Sequence, residues 1–152
     1  LRKYVRAGME VLDVGCGSGI LGMLALKFGA ERCVGTDLDP CAITAAHENM
    51  EANGVAKERY EVIIGNIIDD KSVQERVGYE KYDIVAANIL ADVLVPLTPV
   101  VIQQMKPGAV YITSGIIEGK EEDVVKAVKE AGLEVLEVNR QGEWSSIVAK
   151  KR

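Results

Sequence analysis

The chain has 152 residues, 48% of them hydrophobic and 27% charged, with a net charge of −5 and a pI near 5.0. That length and balance suit one globular domain large enough to bury its own core. They exclude a membrane-spanning helix, since no apolar run approaches about 20 residues, and they argue against a strong grip on a nucleic-acid backbone while leaving room for a basic protein partner.

Cys16, Cys33 and Cys41 are odd in number and form no C-x-x-C pair. This speaks against a disulfide framework and a zinc site, and for a reducing cytoplasm. Leu1-Arg2-Lys3-Tyr4-Val5 has no apolar segment after its basic residues and is not a signal peptide. Without an initiator Met it reads as the start of a fragment.

In chain order, a first strand is expected at Glu10–Val14, running into Gly15-Cys16-Gly17-Ser18-Gly19 and a helix from Ile20 to Phe28 that Gly29 stops. The glycines let the backbone turn sharply and approach a ligand, and the free amides at the helix start are expected to face that ligand. A second strand covers Arg32–Asp37. Asp39 is expected to cap the next helix, with Pro40 in its first turn and Asn53-Gly54 at its end. A third strand spans Tyr60–Ile64, a short helix fits Asp70–Val77, and a fourth strand is Tyr82–Ala87, ending at Asn88.

From Ile89 to Met105 the pattern is helical, with Pro96 and Pro99 near a start or a kink. Lys106-Pro107-Gly108 reads as a turn, Ala109–Ser114 as a fifth strand, and Glu121–Ala131 as a helix with an acidic first turn. Leu133–Val138 and Trp144–Ala149 are two last strands. The link between them is too short for a parallel crossover, so the pair is antiparallel. Strands alternating with helices predict an α/β fold: a doubly wound, mainly parallel, seven-stranded sheet with a C-terminal antiparallel hairpin. Ligands bind such sheets at the carboxyl ends of the strands.

Two carboxylates sharpen the glycine signal. Asp13 stands two residues before the first glycine, where a cationic ligand suits it better than a pyrophosphate. The spacing is G-x-G-x-G and not the G-x-G-x-x-G of dinucleotide sites. Asp37 ends the second strand, where a carboxylate can accept from both hydroxyls of a ribose. This set resembles the S-adenosylmethionine site of class I methyltransferases. The resemblance implies a Rossmann-like fold and donor contacts from Asp13, Gly15, Cys16, Gly17, Gly19, Asp37, Leu38, Asn66, Ile67 and Asn88, with no metal. Two readings fit Asn66: a neighbour of the adenine, or a turn residue.

Asn88 is the candidate catalytic residue. Amine methyltransferases often carry Asn-Pro-Pro-aromatic at this place, where the Asn and the carbonyls after it accept hydrogen bonds from the target amine. Here Asn88-Ile89-Leu90-Ala91 keeps the asparagine and lacks the prolines and the aromatic. The alternative role for Asn88 is a helix cap. His47 is read as a solvated helix residue, Cys16 as a small loop residue, and Trp144 as a packing residue.

Asp13–Leu21, Asn88–Ala91, Ser114-Gly115-Ile116 and Glu143-Trp144 together resemble the PrmA family, which methylates amines of a large-subunit ribosomal protein. The resemblance covers nearly the whole chain. It implies a cytoplasmic protein methyltransferase whose residues 1–152 are the donor-binding domain. That family also has an upstream substrate-recognition domain and a Gly-Thr-Gly-x-His-type lid loop, and neither falls within this sequence. Alternative functions are methylation of RNA or a small-molecule amine and donor binding without turnover; Asp13 and the glycine spacing speak against a further alternative, nicotinamide-dependent oxidoreduction.

Overall fold

The computed structural model describes residues 3–151. The element order is β1 (Glu10–Val14), α1 (Ile20–Lys27), β2 (Arg32–Asp37), α2 (Cys41–Ala52), β3 (Tyr60–Ile64), α3 (Lys71–Val77), β4 (Tyr82–Asn88), α4 (Ala91–Val101), β5 (Met105–Ile117), α5 (Glu121–Glu130), β6 (Glu134–Gln141) and β7 (Trp144–Lys150). Single 3-10 turns precede β3 and β5. One sheet of seven strands has the order β3-β2-β1-β4-β5-β7-β6. The pairs among β1 to β5 are parallel, and β7 is antiparallel to both β5 and β6. The expected doubly wound sheet and terminal hairpin are therefore present. No helix among the described residues is long and apolar enough to cross a membrane.

The central strands read as apolar runs because both faces are covered. Leu12, Val14, Val85, Ala87, Tyr111 and Ile147 pack with Leu94 and Leu97 of α4 and Val124 and Val128 of α5. On the opposite face Val11, Cys33, Tyr60 and Ile84 pack with Ala25 and Leu26 of α1 and Met50 of α2. Burying one such leucine or valine contributes about 1.5–3 kcal/mol.

Three expectations needed adjustment. α4 carries Pro96 and Pro99 in its interior and starts at Ala91. Both prolines lie on its exposed side, while Ala91, Leu94, Leu97, Thr98 and Val101 are buried. The residues whose carbonyls lose an amide partner there, Asp92 and Val95, are exposed, so the helix tolerates them. β5 is longer than expected. It starts at Met105, opposite Tyr82, and resumes at Val110, opposite Ile84, so Lys106-Pro107-Gly108 is looped out of a bulge and does not precede the strand. Pro40, not Asp39, holds the N-cap position of α2, but Asp39 Oδ1 still accepts from the Cys41 amide at 2.9 Å. The difference is one residue at a helix start.

Candidate functional site

The strand order reverses between β1 and β4, and a crevice opens there at the carboxyl ends. A cavity of about 670 Å³ fills it. One wall is Val14 and Gly15, a second is Thr36, Asp37 and Leu38 after β2, and a third is Gly65 to Asp69 after β3. The fourth is the start of α4: Ile89, Leu90, Asp92, Val93 and Pro96. Its volume falls within the range of small-molecule sites.

Gly15, Gly17 and Gly19 all have positive φ, at 70, 52 and 79°, which a side chain would strain. Gly15 meets a second demand, since a Cβ there would stand 2.6 Å from Ile89 Cγ2 and close the crevice. The amides of the loop that precedes the helix start are taken up within the protein. Gly15 and Cys16 donate to the Thr36 carbonyl at 2.8 and 2.9 Å, and Gly17 donates to Asp37 Oδ2 at 2.8 Å. The loop is thereby tied to the end of β2.

Asp37 is the junction of this arrangement. Oδ2 takes the Gly17 amide and Oδ1 takes the Asp39 amide at 2.9 Å. Each oxygen keeps a further lone pair for a ligand hydroxyl. Asn66 is a turn residue, one of the two roles considered for it. Its Oδ1 accepts from the Ile68 amide at 2.9 Å, which makes the turn, and it also lines the cavity. Ile67 and Leu38 line the cavity with it, Ile67 buried and Leu38 exposed at 68%.

Asp13 lies beneath the loop and does not line the cavity. Only 2% of it is exposed. Its carboxylate accepts from the Gly22 amide in the first turn of α1 and from the Tyr60 hydroxyl at 3.4 Å. Burial pushes its pKa up to about 7 against those two hydrogen bonds. Cys16 is buried beside it, with a thiol pushed up to about 12 by burial and by Asp13. A thiol so far above neutrality is no nucleophile, so Cys16 is the small packed residue expected.

Asn88 ends β4 exposed, next to the cavity but not in its lining. A Cβ at Gly115 of β5 would meet its Oδ1 at 2.7 Å. Leu90, not Asn88, holds the N-cap position of α4, and it makes no side-chain cap bond. The capping role considered for Asn88 is therefore absent. Trp144 also departs from expectation. It is 51% exposed at the hairpin turn, opposite Ile117, at the same end of the sheet as the cavity. His47 is half-buried on α2. No cluster of His, Cys, Asp and Glu among the described residues could hold a metal. The α4 wall was missed in part because its contact with the cavity depends on where α4 starts, and Leu90, at 68% exposure, gave no periodic signal.

The family model described as Ribosomal protein L11 methyltransferase (PrmA) matches residues 1–152. A protein of that name from Lachnospira eligens is 58% identical over 153 residues, covering 100% of this chain and 48% of its own length. One from Agathobacter rectalis is 51% identical, over 99% of this chain and 48% of its own. The chain thus spans about half the length of these curated relatives. A crystal structure of ribosomal protein L11 methylase from Lactobacillus delbrueckii subsp. bulgaricus superposes with a TM-score of 0.86 at 28% identity, over 99% of this chain and 74% of that one. A SAM dependent methyltransferase from Aquifex aeolicus, 17% identical, shares the fold with a TM-score of 0.78, over 97% of this chain and 85% of that one.

Proposed function

The chain belongs to the ribosomal protein L11 methyltransferase (PrmA) family, and on that premise we propose that it is the donor-binding domain of an S-adenosylmethionine-dependent methyltransferase acting on amines of a large-subunit ribosomal protein. The observation that carries this reading is the pair of amide bonds, from Gly17 and Asp39, that holds Asp37 on the wall of the cavity. It fixes a carboxylate where a ribose would present its hydroxyls, and it leaves the crevice open beside Gly15.

The residues fit the donor. Asp37 offers acceptor lone pairs to hydroxyls, Leu38, Ile67 and Ile68 offer apolar surface to a flat base, and Gly15 leaves the backbone open to close approach. When bound, the sulfonium supplies an electrophilic methyl group. The chain's part is to hold that donor, to exclude water and to place a neutral amine in line. Asn88 Oδ1, exposed at the neighbouring strand end, accepts a hydrogen from the amine and orients its lone pair. Protein substrates carrying lysine suit the net charge of −5. The proposed setting is the cytoplasm, with no strong nucleic-acid binding and no membrane.

Calorimetric titration with S-adenosylmethionine and with NAD tests the cofactor. Binding of the first and not the second is expected, and the reverse would overturn the reading. Transfer of labelled methyl to the purified ribosomal protein, by a version carrying the rest of the relatives' length, tests the acceptor. Turnover on RNA or a small amine, with none on the protein, would replace it.

A further inference from the structure

Tyr60 opens β3, on the far side of β2 from the cavity's centre, yet it reaches under the whole glycine loop. Its buried ring occupies space that glycines on three other elements leave free. A Cβ at Gly22 of α1 would stand 2.3 Å from Tyr60 Cε2, one at Gly35 of β2 2.8 Å from its hydroxyl oxygen, and one at Gly19 3.3 Å from the same oxygen. Burial raises the phenol far above its ordinary range, so the hydroxyl remains a donor at any physiological pH. The side chains that it reaches are the Asp13 carboxylate, at 3.4 Å, and the thiols of Cys16 and Cys33.

We propose that Tyr60 is a positioning residue for the donor site: its hydroxyl donates to Asp13, and through Asp13 it holds α1 and the glycine loop in their binding shape. This rests on the reading of the cavity as a donor site. The chain of contacts is continuous. Asp13 takes the Gly22 amide, which pins the first turn of α1. The other end of the loop is pinned by Thr36 and Asp37. The groups acting on Asp13 are the Gly22 amide of α1, Tyr60 of β3 and Asp37 of β2. The Cys16 thiol of the loop and the Cys33 thiol of β2 also face it. None of these is a cation. The charged form of Asp13 therefore depends on two hydrogen bonds, and the 3.4 Å one from Tyr60 is long enough to be easily lost and close enough to matter in a buried site.

The test compares wild type with Tyr60→Phe, which keeps the ring and removes the donor. Dissociation constants for S-adenosylmethionine are measured calorimetrically between pH 5.5 and 9, with thermal melting as a control for folding. Ionisation of the ligand itself is common to both proteins and cancels. The variant is expected to bind several-fold more weakly near pH 7 and to approach wild type at pH 9, because its Asp13 ionises at higher pH. No loss would mean that Tyr60 merely fills space, and an equal loss at every pH would mean that its hydroxyl acts other than through the ionisation of Asp13; either result would overturn the proposal. The carboxyl carbon of Asp13, followed by NMR without ligand, gives an independent reading. Its midpoint should move upward in the variant, and an unmoved midpoint also overturns the proposal. Wild type that binds no S-adenosylmethionine at any pH would sink the donor site itself, while the NMR midpoint still decides whether Tyr60 holds Asp13.

Discussion

Replacing Asp37 with alanine removes four hydrogen-bond relationships at once. Two are visible: the Gly17 amide at 2.8 Å and the Asp39 amide at 2.9 Å. The other two are those proposed for the ribose hydroxyls. Hydrogen bonds to a charged group contribute about 1.5–3 kcal/mol each. Water refills part of an open crevice and returns some of the ligand's share. Even one such bond lost outright exceeds the roughly 1.4 kcal/mol that corresponds to tenfold in affinity. S-adenosylmethionine should therefore bind more than tenfold more weakly to Asp37→Ala. The two amide bonds are exposed, so solvent can replace the carboxylate there and the fold should persist. A stability loss of about 1 kcal/mol corresponds to a melting temperature lower by about 2–4 °C for a domain of this size. Calorimetric titration beside thermal melting separates the two effects. An unchanged dissociation constant would refute the assignment of Asp37, whatever the melting temperature did.

Asn88→Ala should keep both the melting temperature and most of the donor affinity, because Asn88 caps nothing. Single-turnover methylation by the longer protein, at saturating donor, should fall on the order of a hundredfold, and near-normal turnover would end the proposed role. Gly15→Ala puts a side chain at a φ of 70°, at a cost of about 1–2 kcal/mol, and 2.6 Å from Ile89 Cγ2. Donor binding should drop below detection in calorimetry while circular dichroism still reports the fold. For pH, Asp13 is held at about 7 in the fold against 3.8 as its ordinary value. Between those values the folded state binds more protons than the unfolded state, so this group's contribution to stability is complete below about pH 4, declines as pH rises, and is gone above about 7. Denaturant titrations should show Asp13→Asn flattening the decline between pH 4.5 and 7.5; an equally steep decline in the variant would mean that other groups cause it.

Most of the fold was legible because its signals are local. Gly29, Gly54 and Gly132 follow helix ends with positive φ, as their place after helical stretches implied. Buried strands announced themselves as apolar runs such as Val11-Leu12 and Ile84-Val85-Ala86-Ala87. The length of β5 was not legible, because its last residues are held by β7, some thirty positions later. The site was legible where one residue type meets one backbone demand, as at Gly15 and Asp37. It was misread where the same residue type serves two ends. Asp13 has the position of a ligand contact, but Tyr60 and Gly22 claim its carboxylate from distant elements. Trp144 has the composition of a core residue and half of it meets solvent. Which side of a hairpin faces outward is set by the register of the pair, and no residue in the turn specifies that register alone.

The last two strands stand in the sheet in the reverse of their order in the chain. β7 lies between β5 and β6, and among the described residues β6 has no other strand beside it. On a ribosome, β6 thus emerges with nothing to pair with, and its backbone groups wait until β7 has been made and has docked on β5. A chain stopped anywhere in the turn at Gly142 loses two strands, not one, and exposes the edge of β5 to any other chain with an unpaired strand. Residues 144 to 150 are in this sense the clasp of the domain. A frameshift or nonsense codon there should produce aggregation during synthesis, and a mild loss of stability is not the expected phenotype.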